Sequence, residues 1–297
     1  MKWLTIFFCV SLILSIGCKK EDDEALIQSL LDKSGYSAPT AVTDDGTTTP
    51  KQVFTTETDS VIDSLLRFAR WINRPVTREI TIEITGDSAL ATIKAALEGT
   101  FYVRDTTLGP IYTRPIQDSF VRQVKLYKDT IWHILSITAG DFKTVDAAHP
   151  ITITEVKAEV ARRNYTWKLM SPTEFLTKVQ LPTFEPSDTV IVTTTVSISG
   201  DSSWAFLHHG RRSDVTGTGI HIRDPFYKIS THVFRRAWVI ASDNIGANEL
   251  PAVRHSAVDV IGWQTLWGKA NGTYYCRAWA LPYIVKSPNQ EVPPDEQ

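Results

Sequence analysis

The sequence predicts an α+β unit followed by an all-β sandwich, both carried behind a short apolar leader. Three observations lead there. Two helical stripes precede residue 73. Two runs of strict apolar–polar alternation follow, each folded about a short turn. Beyond residue 149, short strand-like runs recur between turn signals with no further long helix. The chain has 297 residues, 42% of them hydrophobic, enough to bury one large core or two ordinary ones. Its 31 Lys and Arg against 33 Asp and Glu leave a net charge of −2, so nucleic acid is not among the partners expected. No apolar run reaches the roughly 18 residues of a bilayer span.

Met1 and Lys2 precede an apolar run from Trp3 to Ile16, interrupted by Thr5, Ser11 and Ser15. One positive charge ahead of a short apolar core is the pattern of a secretory signal, here residues 1–17. It ends at Ser15-Ile16-Gly17-Cys18, which resembles the lipobox of bacterial lipoproteins, although Ser15 stands where leucine is commonest in that motif. The resemblance implies cleavage after Gly17 and a lipid on Cys18, with residues 18–23 as the lipidated tether. Lys19-Lys20-Glu21-Asp22-Asp23-Glu24 resembles the signal that sends Bacteroidota lipoproteins to the outer face of the outer membrane. Cys9 leaves with the leader and Cys18 is consumed, so Cys276 is the one thiol of the mature body. It lies in an apolar, aromatic run, where a buried structural thiol is expected.

In the first unit, residues 24–148, Leu26/Leu30 and Ile27/Leu31 recur at i, i+4 and predict a helix from Ala25 to Lys33, stopped by Gly35. Residues 36–58 read as loop. Val61, Leu65, Phe68, Ala69 and Ile72 form an apolar stripe that predicts a second helix over Ser60–Ile72, ended by Pro75. Arg78–Thr85 and Ser88–Arg104 then alternate about Gly86-Asp87. Pairing across that turn sets Ile84 against Ala89, Ile82 against Ala91, Ile80 against Ile93, Thr81 against Thr92 and Glu79 against Lys94. Gly99 predicts a bend or bulge in the long second strand. A second hairpin turns at Asp129-Thr130 and aligns Phe120, Arg122, Val124 and Leu126 with His133, Leu135 and Ile137.

Two helices followed by long antiparallel hairpins resemble the NTF2-like (cystatin-like α+β) fold, which implies a curved sheet wrapped around a conical pocket. Arg122 and His133 are the pocket candidates, polar residues on an otherwise apolar face and about 13 Å apart along the strands.

In the second unit, residues 149–288, Ile151–Val160 predicts a strand. Ser171-Pro172-Thr173-Glu174 carries the signals of a helix start and predicts a short helix through Val179. Strands are expected near 189–198, 203–209, 219–222, 232–241, 254–263 and 273–285. The run Gly272 to Trp279 resembles strand F of an immunoglobulin domain, with Tyr274 at tyrosine-corner spacing from Cys276 and Trp204 as the core tryptophan. This implies an Ig-like sandwich lacking its disulfide. Residues 289–297 read as a disordered tail.

No catalytic residue is assigned. His208 and His209 point to opposite faces of a strand and cannot share one ion, so no metal is expected. Gly-x-Ser-x-Gly, P-loop and Rossmann patterns are lacking and no cofactor is expected. Arg211, Arg212, Trp263 and Trp267 are candidates for an anion- or glycan-binding surface. The sequence thus leads to a lipid-anchored, non-enzymatic envelope protein at the cell surface, held by its lipid and binding an envelope protein or a glycan. The alternative is a small-ligand-binding protein or an enzyme that uses the conical pocket.

Overall fold

Period-two alternation organises nearly the whole chain. The computed structural model describes residues 22–37, 66–73, 76, 78–104, 109–212, 219–240 and 250–295, with the backbone alone at 210–212 and 219–222. The leader, Cys18 and the start of its tether, residues 38–65, and the side chains of Arg211 and Arg212 lie outside the described residues. Helix α1 covers 22–33 and buries Ile27, Leu30 and Leu31 of the predicted stripe, leaving Leu26 exposed, before a turn at Gly35.

The strands that follow are β1 (Arg67–Ile72), β2 (Arg78–Thr85), β3 (Ser88–Arg104), β4 (Tyr112–Lys128), β5 (Trp132–Ile137) and β6 (Gly140–Thr144). After them come β7 (Ile151–Val160), β8 (Tyr165–Leu169), β9 (Leu176–Thr177), β10 (Thr183–Phe184), β11 (Thr189–Ile198) and β12 (Ser203–Arg212). The chain closes with β13 (Gly219–Pro225), β14 (Tyr227–Ser230), β15 (Val233–Val239), β16 (Ala252–Gly262), helix α2 (Trp263–Trp267) and β17 (Cys276–Val285).

Twelve strands share one sheet, whose main path runs β1-β3-β4-β6-β17-β16-β12-β13. The other five, in the order β14-β15-β11-β7-β8, form a second sheet packed against its C-terminal half. The large sheet is curled. Five strand steps separate β1 from β16, about 24 Å if flat. Yet Arg70 of β1 reaches Asp259 of β16 at 2.5 Å. The two ends of the path also meet, where Nη2 of Arg223 on β13 donates to the Phe68 carbonyl on β1 at 2.8 Å.

This architecture overturns the α+β, NTF2-like expectation and the free-standing Ig-like sandwich. The protein is mostly β, and the sheet begun by the first hairpins continues through β6–β17 pairing into strands from the far end of the sequence. One hydrophobic cluster holds Phe101 and Ile134 together with Val260 and Trp279, so the core spans the boundary expected at residue 148. The predicted helix over 60–72 is strand where it is described, with Phe68, Arg70 and Ile72 turned inward. Phe68 and Ile72 share a face under either period, and the charge at Arg70 is what made a buried strand look excluded. The helix expected after Ser171 is a turn, with Ser171 Oγ bonded to Thr173. The capping box lies instead at Thr177 and Gln180, over a single 3₁₀ turn.

The first hairpin pairs as the alternation predicts, residue for residue, with Gly86 at φ 59° in its turn. Gly99 marks no bulge. It faces Ile72 on β1, where a Cβ would run into the Trp71 carbonyl. The second hairpin turns through three residues, 129–131, rather than two. His133 therefore pairs with Tyr127 and faces outward, Trp132 and Ile134 face the core, and Leu135 is the extra residue of a bulge. Residues 289–295, expected as a disordered tail, lie against the body. Pro293 is buried and accepts from the Tyr36 hydroxyl at 2.7 Å, and Asp295 pairs with Lys178 and His133.

Candidate functional site

The chemistry-bearing side chains gather on the concave side of the curl, because alternation turns them there. β4 buries every second residue from Arg114 to Leu126, and Arg114, Asp118 and Arg122 are among them. Asp259 of β16, His208 of β12 and Arg70 of β1 take inward positions by the same rule.

Together they form a chain of hydrogen bonds. Arg70 grips Asp259 through Nη1 at 2.5 Å and Nη2 at 3.0 Å. His208 Nε2 donates to the same carboxylate at 3.1 Å, which fixes its tautomer. Arg70 Nε donates to the Tyr274 hydroxyl at 3.1 Å, and that hydroxyl donates to Asp118 at 2.7 Å. Thr144 donates to the other Asp118 oxygen at 2.8 Å, and Cys276 Sγ lies 3.6 Å from Asp118.

Burial sets the electrostatics. It would raise the Asp259 carboxyl, but Arg70 and His208 outweigh it and hold Asp259 below the usual carboxylate range. Asp118 is raised, burial exceeding the help of Tyr274, Arg70 and Thr144. Burial lowers His208 and pushes the Tyr274 hydroxyl and the Cys276 thiol up, so both of the latter remain protonated. Every member but the half-buried Thr144 is buried, and each is bonded to another. A protonated thiol sealed beside carboxylates is no nucleophile. The network ties β1 and β4 to β12, β16 and β17.

The pocket candidates do not converge. Arg122 is fully buried and donates to the Ala280 carbonyl at 2.9 Å and the Ser37 carbonyl at 3.3 Å. His133 lies on the opposite face, stacked on Tyr127 and paired with Asp129 and Asp295. The concave side is closed at this end by α1 and its following turn, where Gly35 accepts from His255 at 2.7 Å. A gap between the two sheets, lined by residues that include Trp167, Phe184, Trp238 and Trp279, has a volume of about 40 Å³, room for a water or two.

His208 and His209 do point to opposite faces, His209 to Asp224 at 3.1 Å and the Trp238 ring. Among the described residues no group of three metal-ligating side chains converges. Trp263 and Trp267 come together, stacked at 3.9 Å between centroids, with Trp263 exposed on the surface and Trp267 near Trp204. Tyr274 makes no tyrosine corner, since its hydroxyl meets Asp118 rather than backbone.

Sequence reading found Arg122 and missed Arg70, Asp118 and Asp259. The available signal was a charged residue at an inward parity position in a strand; only distant pairing reveals its partner. No family model matches the chain, and neither a curated protein nor a solved structure is similar to it.

Proposed function

We propose that the chain is a lipid-anchored protein of the outer membrane, displayed at the cell surface, whose body is a non-enzymatic binding or interaction module for an envelope protein or a glycan. Met1 to Cys18 supports the anchor: a charged start, a short apolar core and a small residue before a cysteine. The observation that carries the non-enzymatic half is that Arg70, Asp259, His208, Tyr274 and Asp118 are bonded to one another inside the curl and Arg122 to two backbone carbonyls, so that these residues are committed to structure. The stacked pair Trp263 and Trp267 is the surface this reading assigns to the partner; Arg211 and Arg212 stand at the other end of β12, away from Ser203 and its pair Gly262, and are not part of it. A flat aromatic face suits the ring of a sugar.

The test of the anchor is Cys18→Ser expressed in a host that processes lipoproteins. The variant is expected to leave the membrane fraction or to accumulate with its leader uncleaved. Normal processing with retention in the membrane would overturn the reading.

A further inference from the structure

Large apolar side chains that the core does not use stand on both sides of the sheet at its tip, close to where the N-terminal segment enters the body. Asp23, in the first turn of α1, accepts from Lys128 Nζ at 2.5 Å and from Trp132 Nε1 at 3.1 Å. Those two residues flank the β4–β5 turn, so the start of α1 is pinned beside the tip of that hairpin. Around this point Ile131 is 63% exposed, Leu26 57% and Tyr127 40%. A three-residue turn ordinarily carries polar side chains, and Ile131 meets no requirement of the core.

Four positions separate Cys18 from Asp22. Fully extended, they reach about 14 Å, so a lipid on Cys18 cannot lie far from this end of the body.

We propose that this end rests on the membrane, with Leu26, Tyr127 and Ile131 at the lipid surface. The inference depends on the lipid anchor proposed above and adds an orientation to it. Isoleucine and leucine enter the boundary between headgroups and acyl chains, and a tyrosine, apolar at its ring and polar at its tip, suits the interface itself. Charge does not drive the contact, because Asp22, Asp87 and Asp129 are exposed at this end. Asp129 at the tip takes the backbone N–H groups of Thr130 and Ile131, and Lys128 is engaged by Asp23. The apolar side chains must therefore carry the contact, and on the uncharged surface of phosphatidylcholine salt should not weaken it.

The fold supplies an internal control. Trp71 is as exposed as Ile131, at 63%, and faces Thr100, whereas Tyr127 faces Ser88. Twelve residues of β3 separate those points, about 40 Å along the strand. Trp71 should stand clear of the bilayer.

The experiment uses the full lipidated protein in phosphatidylcholine vesicles containing a spin-labelled lipid. An environment-sensitive fluorophore is attached at Ile131→Cys, Leu26→Cys or Trp71→Cys; Cys276 is buried and does not compete. At 131 and 26 quenching is expected to be at least threefold stronger than at 71, and unchanged between 0.1 and 1 M salt. Equal quenching at 131 and 71 would overturn the proposal, as would quenching that salt abolishes. Intact mass of the same preparation separates the two levels. Acylated protein without quenching at 131 removes the orientation alone. Protein lacking an acyl group on Cys18 that stays off the vesicles removes the anchor and the orientation together.

Discussion

Arg70 holds a place in β1 that an apolar side chain would fill without desolvating a charge, and it is tolerated because Asp259 meets it in two-point contact. Removing one partner strands the other. Asp259→Ala is expected to cost about 3–5 kcal/mol in urea unfolding. The double variant Arg70→Met/Asp259→Leu should cost far less than the sum of its single changes, and additive losses would show that the pair is not coupled. His255 contributes a pH dependence. Burial and the neighbouring Arg122 lower it from 6.5 to about 4 in the folded state. Between those values the unfolded chain takes up a proton that the fold refuses, so stability falls as pH drops from about 6.5 to 4, by up to about 3 kcal/mol. His208 shifts in the same direction. Urea midpoints from pH 7.5 to 5 should decline, and His255→Gln, able to keep the bond to the Gly35 carbonyl, should flatten the decline.

The two hairpins show which features of an element are written locally. Across Gly86-Asp87 both faces of the ladder are chemically matched, so the register of β2 on β3 is legible from eighteen consecutive residues, Arg78 to Ala95. At the second turn a single extra residue reverses the parity of β5, and nothing local distinguishes a two-residue from a three-residue turn there. The bulge at Leu135 then restores Ile137 to the core. The difference between these two extra residues is measurable. Deleting Leu135 leaves the pairs Leu126–Ile134 and Lys125–Ser136 adjacent and the ladder regular, and should cost less than about 1 kcal/mol. Deleting Ile131 sends Trp132 and Ile134 toward solvent and should abolish cooperative unfolding followed by tryptophan fluorescence. β1 was illegible for a related reason: in Phe68-Ala69-Arg70-Trp71-Ile72 the inward arginine disguises period two, and its partner lies 189 residues away.

For the molecule as a whole, strand positions in the second half could be read from turn spacing, and so could the opposed faces of His208 and His209. The continuous sheet could not, because β6 finds β17 across more than 130 residues and no local pattern encodes that choice. The same long-range pairing governs the buried network: Asp118 and Arg122 share the inward parity of β4, a local signal, but their partners, the Tyr274 hydroxyl and the Ala280 carbonyl, lie more than 150 residues on. A fragment of residues 22–148 tests the point directly. As an autonomous domain it would show a cooperative thermal transition. It is expected to have none, since β6 would present a bare edge and Arg70 and Asp118 would lose Asp259 and Tyr274. There is also a consequence for how the sheet is completed. β17, the last described strand in chain order, occupies the middle of the large sheet between β6 and β16. Until it pairs, the part of the large sheet that begins at β1 and the part that holds β16, β12 and β13 have no ladder between them, so the sheet becomes continuous only with its final strand.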